Sequence, residues 1–167
     1  MDTTHKSYIK NWVPLPNEFK TEDQKQKENK QIAKRTILIV EDEDDVQIFL
    51  QSYFANHHNI LITEDGLDGL EKLKTLKPDL IISDVMMPNM DGFEFCEKIK
   101  SDPELCHIPV LLLTALGDDE NLIKGFEFGA DEYISKPFSL KHLALRADKL
   151  IQNNLKLKEH FKKQYAS

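Results

Sequence analysis

The chain has 167 residues, of which 40% are hydrophobic, enough for one domain with a buried core and length to spare for tails. Its formal charge of -7 argues against a nucleic-acid-binding surface, since phosphate backbones are bound mainly through an excess of Lys and Arg. Cys96 and Cys106 form no CxxC motif, and no charged leader with an apolar core and no long apolar span occurs, so the expected setting is the reduced cytoplasm, without membrane insertion or a disulfide.

Residues 1–35 are polar, and the stretch KTEDQKQKENKQ offers almost nothing to bury, which predicts a linker or leader. The apolar patch Trp12-Val13-Pro14-Leu15-Pro16 interrupts it, either as a docking patch or as a stray aromatic in a disordered leader. From Thr36 onward, short apolar runs alternate with helical periods. TILIV (36–40), NILIT (59–63), DLIIS (79–83), PVLLLT (109–114) and EYIS (132–135) predict five strands, most of them continuously apolar, as parallel strands covered on both faces should be. Between them, Asp65 is placed to cap a helix carrying Leu67, Leu70 and Leu73. Asp91 with Glu94 makes a capping-box-like start, and Gly129 is placed to end a helix begun near Asp118, where the run Asp118-Asp119-Glu120 supplies a cap. The last helix is expected to start at Ser139. Along it, Leu143, Ala147, Leu150, Asn154, Leu157 and Phe161 alternate steps of four and three, which suits either a coiled-coil seam or an amphipathic tail. The expected organisation is a leader over residues 1–35, a doubly wound α/β domain over 36–153 and a helical extension over 154–167.

In an open parallel sheet the carboxyl ends of the strands share one edge, and ligands bind there where the strand order reverses. At those ends stand Glu41 and Asp42, then Asp84, Thr114 and Lys136. Carboxylates brought together repel until a proton or a cation relieves them. Oxygen ligands select a hard ion, and Mg²⁺ is commonly held by one or two carboxylates with water and phosphate oxygens, whereas Ca²⁺ prefers a fuller protein cage. Beside such an ion Asp84 is a candidate nucleophile toward phosphorus, with Lys136 to neutralise one phosphoryl oxygen and the Thr114 hydroxyl to donate to another.

The combination ILIVEDEDD, LIISDVMMPNMDG, LLLTA and DEYISKPF resembles the receiver domain of two-component response regulators, the CheY-like family, over roughly residues 35–153. Four motifs in order at compatible spacing are specific where each alone is weak. The resemblance implies a five-stranded sheet of flavodoxin-like strand order 2-1-3-4-5, an order for which a member of this same family is a standard example. It implies that Asp84 takes a phosphoryl group from the phosphohistidine of a histidine kinase or phosphotransfer domain, in a signalling domain that assists its own phosphorylation and dephosphorylation and is not a conventional enzyme. It implies Mg²⁺ bound by Glu41, Asp42, Asp84 and the main-chain carbonyl of Met86. It assigns Thr114 and Lys136 to the phosphoryl group, Thr114 and Tyr133 to a conformational switch, and a cis bond to Lys136-Pro137. Output would pass through the last strand and helices to another domain or partner, with homodimerisation through the last helix left open. The leader and long final helix resemble the segments flanking receivers in hybrid sensor kinases with a DNA-binding output domain, and a single-domain regulator is the alternative. Glu41 departs from the Asp commonest at its position, for which altered ion affinity or rate is expected.

Blander and competing readings remain for these residues. Acids at 41–45 also suit the first turn of a helix. Asp91, Pro88 and Gly92 read as turn and helix start, and His57, His58 and His107 as surface residues. A phosphatase of the haloacid dehalogenase type also uses a strand-end Asp with Mg²⁺, but wants a second Asp two residues on, where this chain has Met86. A calcium module at Asp42, Asp44 and Asp45 lacks the Gly and distal Glu of an EF-hand loop.

Overall fold

All five apolar runs form strands in the computed structural model, which describes residues 34–115, 123 and 126–166. β1 (Arg35–Val40), β2 (His58–Thr63), β3 (Leu80–Asp84), β4 (Val110–Thr114) and β5 (Glu132–Ser135) make one parallel sheet of order β2-β1-β3-β4-β5. The expected bounds move by no more than one residue. The move that matters is in β3, where Asp84 pairs with Leu113 and so ends the strand instead of following it.

α1 (Asp44–Phe54), α2 (Gly66–Leu73), α3 (Gly92–Ser101) and α4 (Leu140–Tyr165) cover the two faces. Alternation along β1 divides the core: Ile37 and Ile39 join Leu50, Phe54, Leu143, Ala147 and Ile151, while Leu38 and Val40 join Leu73, Phe93, Phe95 and Ile99. β3 and β4 are buried along their whole length, which explains their unbroken apolar runs. The step from β1 out to β2 and back across to β3 reverses the winding between β1 and β3, the position at which open parallel sheets bind ligands.

Each expected helix start within the described residues is capped as the side chains allow. Asp65 accepts from Asp68 N–H at 3.0 Å, Asp91 from Glu94 N–H at 2.8 Å and Ser139 from His142 N–H at 3.0 Å. Gly129 has φ +84°, the left-handed conformation that suits a helix end. The helix start near Asp118, its acidic cap and the Trp12 patch lie outside the described residues.

α2 carries the three expected leucines in graded burial, Leu73 buried, Leu70 half-buried and Leu67 exposed, and it approaches α3 at Gly69, where a Cβ would come within 2.8 Å of Phe95 Cζ. Along α4, Leu143 and Ala147 are buried, Leu150 and Leu155 pack against the same cluster as the buried Ile151, and Leu157 and Phe161 are 57% and 53% exposed, which suits a coiled-coil seam and an amphipathic tail alike. One expectation needs correction. His58 is not a surface residue: it opens β2 against α4, with Nε2 at 3.5 Å from Asp148 Oδ1 and its ring beside Phe54. Burial holds its pKa below the usual range, opposed by the Asp148 charge. His57 and His107 are exposed. Cys96 is buried, its thiol pushed up to about 11 by burial, Cys106 is exposed, and both are free.

Candidate functional site

At the carboxyl edge of the sheet, β1 hands the chain to Glu41, whose N–H donates to Thr63 O at 3.0 Å and whose side chain is 1% exposed. Glu41 Oε1 accepts from Glu43 N–H at 3.1 Å, and the Gln47 side-chain amide donates to the Glu41 carbonyl at 2.5 Å, so α1 holds its own entry loop in place. Glu41 Oε2 is buried without a hydrogen-bond donor and lies 3.7 Å from Lys136 Nζ. Asp84, 5% exposed, accepts from Val85 N–H at Oδ1 (2.8 Å) and faces Lys136 Nζ with Oδ2 at 3.3 Å. Asp42 is exposed at the rim, yet oxygens of Glu41, Asp42 and Asp84 all lie within 4.8 Å of one another.

Two buried carboxylates thus share one ammonium. Burial, and after it the charge of Asp84, pushes Glu41 up to about 8, with Lys136 pulling the other way. Burial likewise raises Asp84 against the opposing pull of Lys136 and of main-chain N–H donors from Val85 and Met86. Burial disfavours the Lys136 ammonium too, but the charges of Asp84 and Glu41 outweigh it and hold its pKa above the ordinary lysine range. Negative charge is left in excess, and a proton or a second cation relieves it. The orphaned Glu41 oxygen and an all-oxygen donor set fit a hard divalent ion.

The remaining expected residues stand as follows. Thr114 ends β4, buried, with its hydroxyl donating to Ala115 O at 3.4 Å and its carbonyl accepting from Lys136 N–H at 2.6 Å. That last bond ties the end of β4 to the lysine. Lys136-Pro137 is cis. The Met86 side chain is 71% exposed and carries no group able to shuttle a proton, so the phosphatase alternative finds no acid here. Tyr133 is set apart from the acids, buried in β5 and stacked on Phe93 at 6.4 Å, with Phe126 at the same distance.

Sequence reasoning placed Gly92 at a turn and helix start without the reason for a glycine, and it missed Gln47 and Asn89 as supports. At Gly92 a Cβ would lie 2.3 Å from the Asp84 carbonyl oxygen, so helix α3 can start this close to the end of β3 only with glycine there. Gln47 carried no sequence signal. Asn89, at φ +65°, donates to Asp65 Oδ2 at 2.7 Å; an Asn after Pro88, the non-glycine type most tolerant of that conformation, was the available clue.

Residues 37–148 match the family model described as the response regulator receiver domain. Among curated relatives, the chain is 45% identical over 128 residues to Histidine kinase P4 of Formosa agariphila, covering 77% of this chain and 9% of that protein. It is 41% identical over 103 residues to the transcriptional regulatory protein AfsQ1 of Streptomyces coelicolor, covering 61% of this chain and 44% of that one. The chain therefore spans less than half of either relative. Among solved structures, the signal receiver domain of a signal transduction histidine kinase from Syntrophus aciditrophicus superimposes with a TM-score of 0.68 at 37% identity, covering 71% of this chain and 91% of that one.

Proposed function

The chain belongs to the response regulator receiver domain family of two-component signalling, and on that premise we propose that Asp84 is its phosphoacceptor. One observation carries the reading: a buried carboxylate at the end of β3 lies 3.3 Å from the Lys136 ammonium, in reach of two further acids. A carboxylate oxygen of Asp84 attacks phosphorus, the bond from phosphorus to the imidazole nitrogen of a donor phosphohistidine breaks, and the electron pair leaves with the imidazole. Lys136 neutralises one oxygen of the incoming group, and the Thr114 hydroxyl donates to another. Glu41, Asp42, Asp84 and the main-chain carbonyl of Met86 would hold Mg²⁺, which when bound offsets charge on the carboxylates and phosphoryl oxygens. Incubation with acetyl phosphate and Mg²⁺, followed by intact mass, is expected to add one phosphoryl group to the wild type and none to Asp84→Asn. No gain on the wild type would overturn the assignment.

The same reading makes Thr114 and Tyr133 the switch. Thr114 is drawn toward the phosphoryl group, and Tyr133, with an inward seat against Phe93, follows the space it leaves. Driving such a switch from 1:99 to 99:1 takes about 5.5 kcal/mol of differential binding. The donor is a histidine kinase or phosphotransfer domain, and output runs through β5 and α4 to a further domain, a partner or a second copy. Size-exclusion with and without phosphodonor tests the second copy. In this organisation residues 1–35 are a leader, 36–153 the receiver and 154–167 a helical extension, of a cytoplasmic regulator or of a hybrid kinase. Among the described residues no helix is long and apolar enough to cross a membrane.

A further inference from the structure

Asp65 stands at the end of β2 and adds no oxygen to the acidic cluster, yet both of its carboxylate oxygens are engaged. Oδ1 caps α2 by accepting from Asp68 N–H at 3.0 Å, and Oδ2 accepts from Asn89 Nδ2 at 2.7 Å. A cap needs only the first of these; Ser139 does it with one hydroxyl oxygen. The second bond reaches across 24 residues to the tip of the loop between β3 and α3.

That loop is fixed at its base and its tip. At the base, Gly92 N–H donates to Val85 O at 2.9 Å. At the tip, Met90 N–H donates to Pro88 O at 2.7 Å around Asn89, whose φ of +65° glycine would accept more easily. Met90 is buried, its Cγ and Sδ both 3.0 Å from where a Cβ on Gly66 would sit. The first residues of the loop, Val85 and Met86, donate their N–H groups to the Asp84 carboxylate. The tip is therefore anchored on the turn between β2 and α2, while the base sets the orientation of the Asp84 carboxylate and the Met86 main chain.

We propose that the Asp65–Asn89 hydrogen bond is a positioning tie that holds the loop between β3 and α3 in the form that binds the divalent ion. The inference rests on Asp84 and the Met86 carbonyl holding Mg²⁺, as assigned above. Asn89→Asp is nearly isosteric, tolerates positive φ and turns the tie into two facing carboxylates. Added negative charge alone would tighten Mg²⁺ binding; a displaced loop weakens it, so the two effects differ in sign. The double variant Asp65→Asn with Asn89→Asp keeps the wild-type charge and rebuilds the bond with donor and acceptor exchanged, and Asn is still a good cap.

The experiment is calorimetric titration of each full-length chain with Mg²⁺ and no phosphodonor, after thermal melting to establish folding. Expected are a Kd about tenfold weaker for Asn89→Asp and recovery to within about twofold of wild type in the exchanged pair. Asn89→Gly, which accepts the backbone and adds no charge, is expected to weaken binding as well and carries the test should Asn89→Asp not fold. Unchanged or tighter binding by these single variants, or no recovery in the exchanged pair, overturns the tie. Failure of the wild type to bind Mg²⁺ overturns the metal assignment itself and is told apart by that control.

Discussion

Gly92 and His58 show how much a single residue can carry beyond the chemistry. A methyl group at position 92 would meet the Asp84 carbonyl and the Val85 Cα, both backbone atoms that cannot step aside cheaply. Gly92→Ala is therefore expected to lower stability by about 3 kcal/mol in urea unfolding, as overpacking of a rigid contact does. His58 folds with its pKa below 6.5, so the unfolded chain takes up protons first as pH falls. Its contribution is full above about 6.5 and is lost progressively below it. The difference in melting temperature between wild type and His58→Gln should shrink as pH is lowered from 7.5 to 5.5; a difference that stays constant counts against it. At this scale the acids and Lys136 were legible because charge at the end of an apolar run is costly without a reason. Gly92 was legible as a helix start but not as a close approach, and Gln47 and Asn89 were not legible as supports, because such work lies in contacts between segments that only the folded chain makes.

Strands and helix starts were legible almost to the residue, since apolar runs and capping side chains are local signals. Helix faces were less so. Leu67 and Leu73 stand six residues apart, about 120° around the helix, so the face that buries Leu73 and sets Gly66 and Gly69 against Met90 and Phe95 leaves Leu67 outside. Along α4 the heptad register continues past the point where the sheet ends, so spacing alone could not tell packed positions from free ones. Ile151 is the last residue of α4 that is fully enclosed. Ile151→Ala should cost about 3 kcal/mol in denaturant unfolding, as truncation of a buried aliphatic does. Leu157→Ala, on the exposed stretch, should change the same curve by no more than about 0.5 kcal/mol. A comparable loss from both would mean that the far part of α4 packs against the domain.

Across the molecule, the strand order gathers residues from positions 41, 84, 114 and 136 at one edge, and that order followed from the resemblance, while alternating runs alone gave only the class. The acidic edge is electrostatically unfinished as an isolated protein, so an ion that completes it should stabilise the whole fold by mass action. At ten times its Kd, Mg²⁺ is expected to add about 1.4 kcal/mol, seen as a rise in melting temperature that Asp84→Asn diminishes. A wild type whose melting is indifferent to Mg²⁺ would contradict this. Only Pro137 and Phe138 separate Lys136 from the Ser139 cap of α4. α4 is enclosed as far as Ile151, and the 14 residues from there to Tyr165 extend about 21 Å further at about 1.5 Å per residue. If output passes through α4 as proposed above, a change in how Lys136 grips its neighbours enters the helix at its cap and leaves through this projecting end.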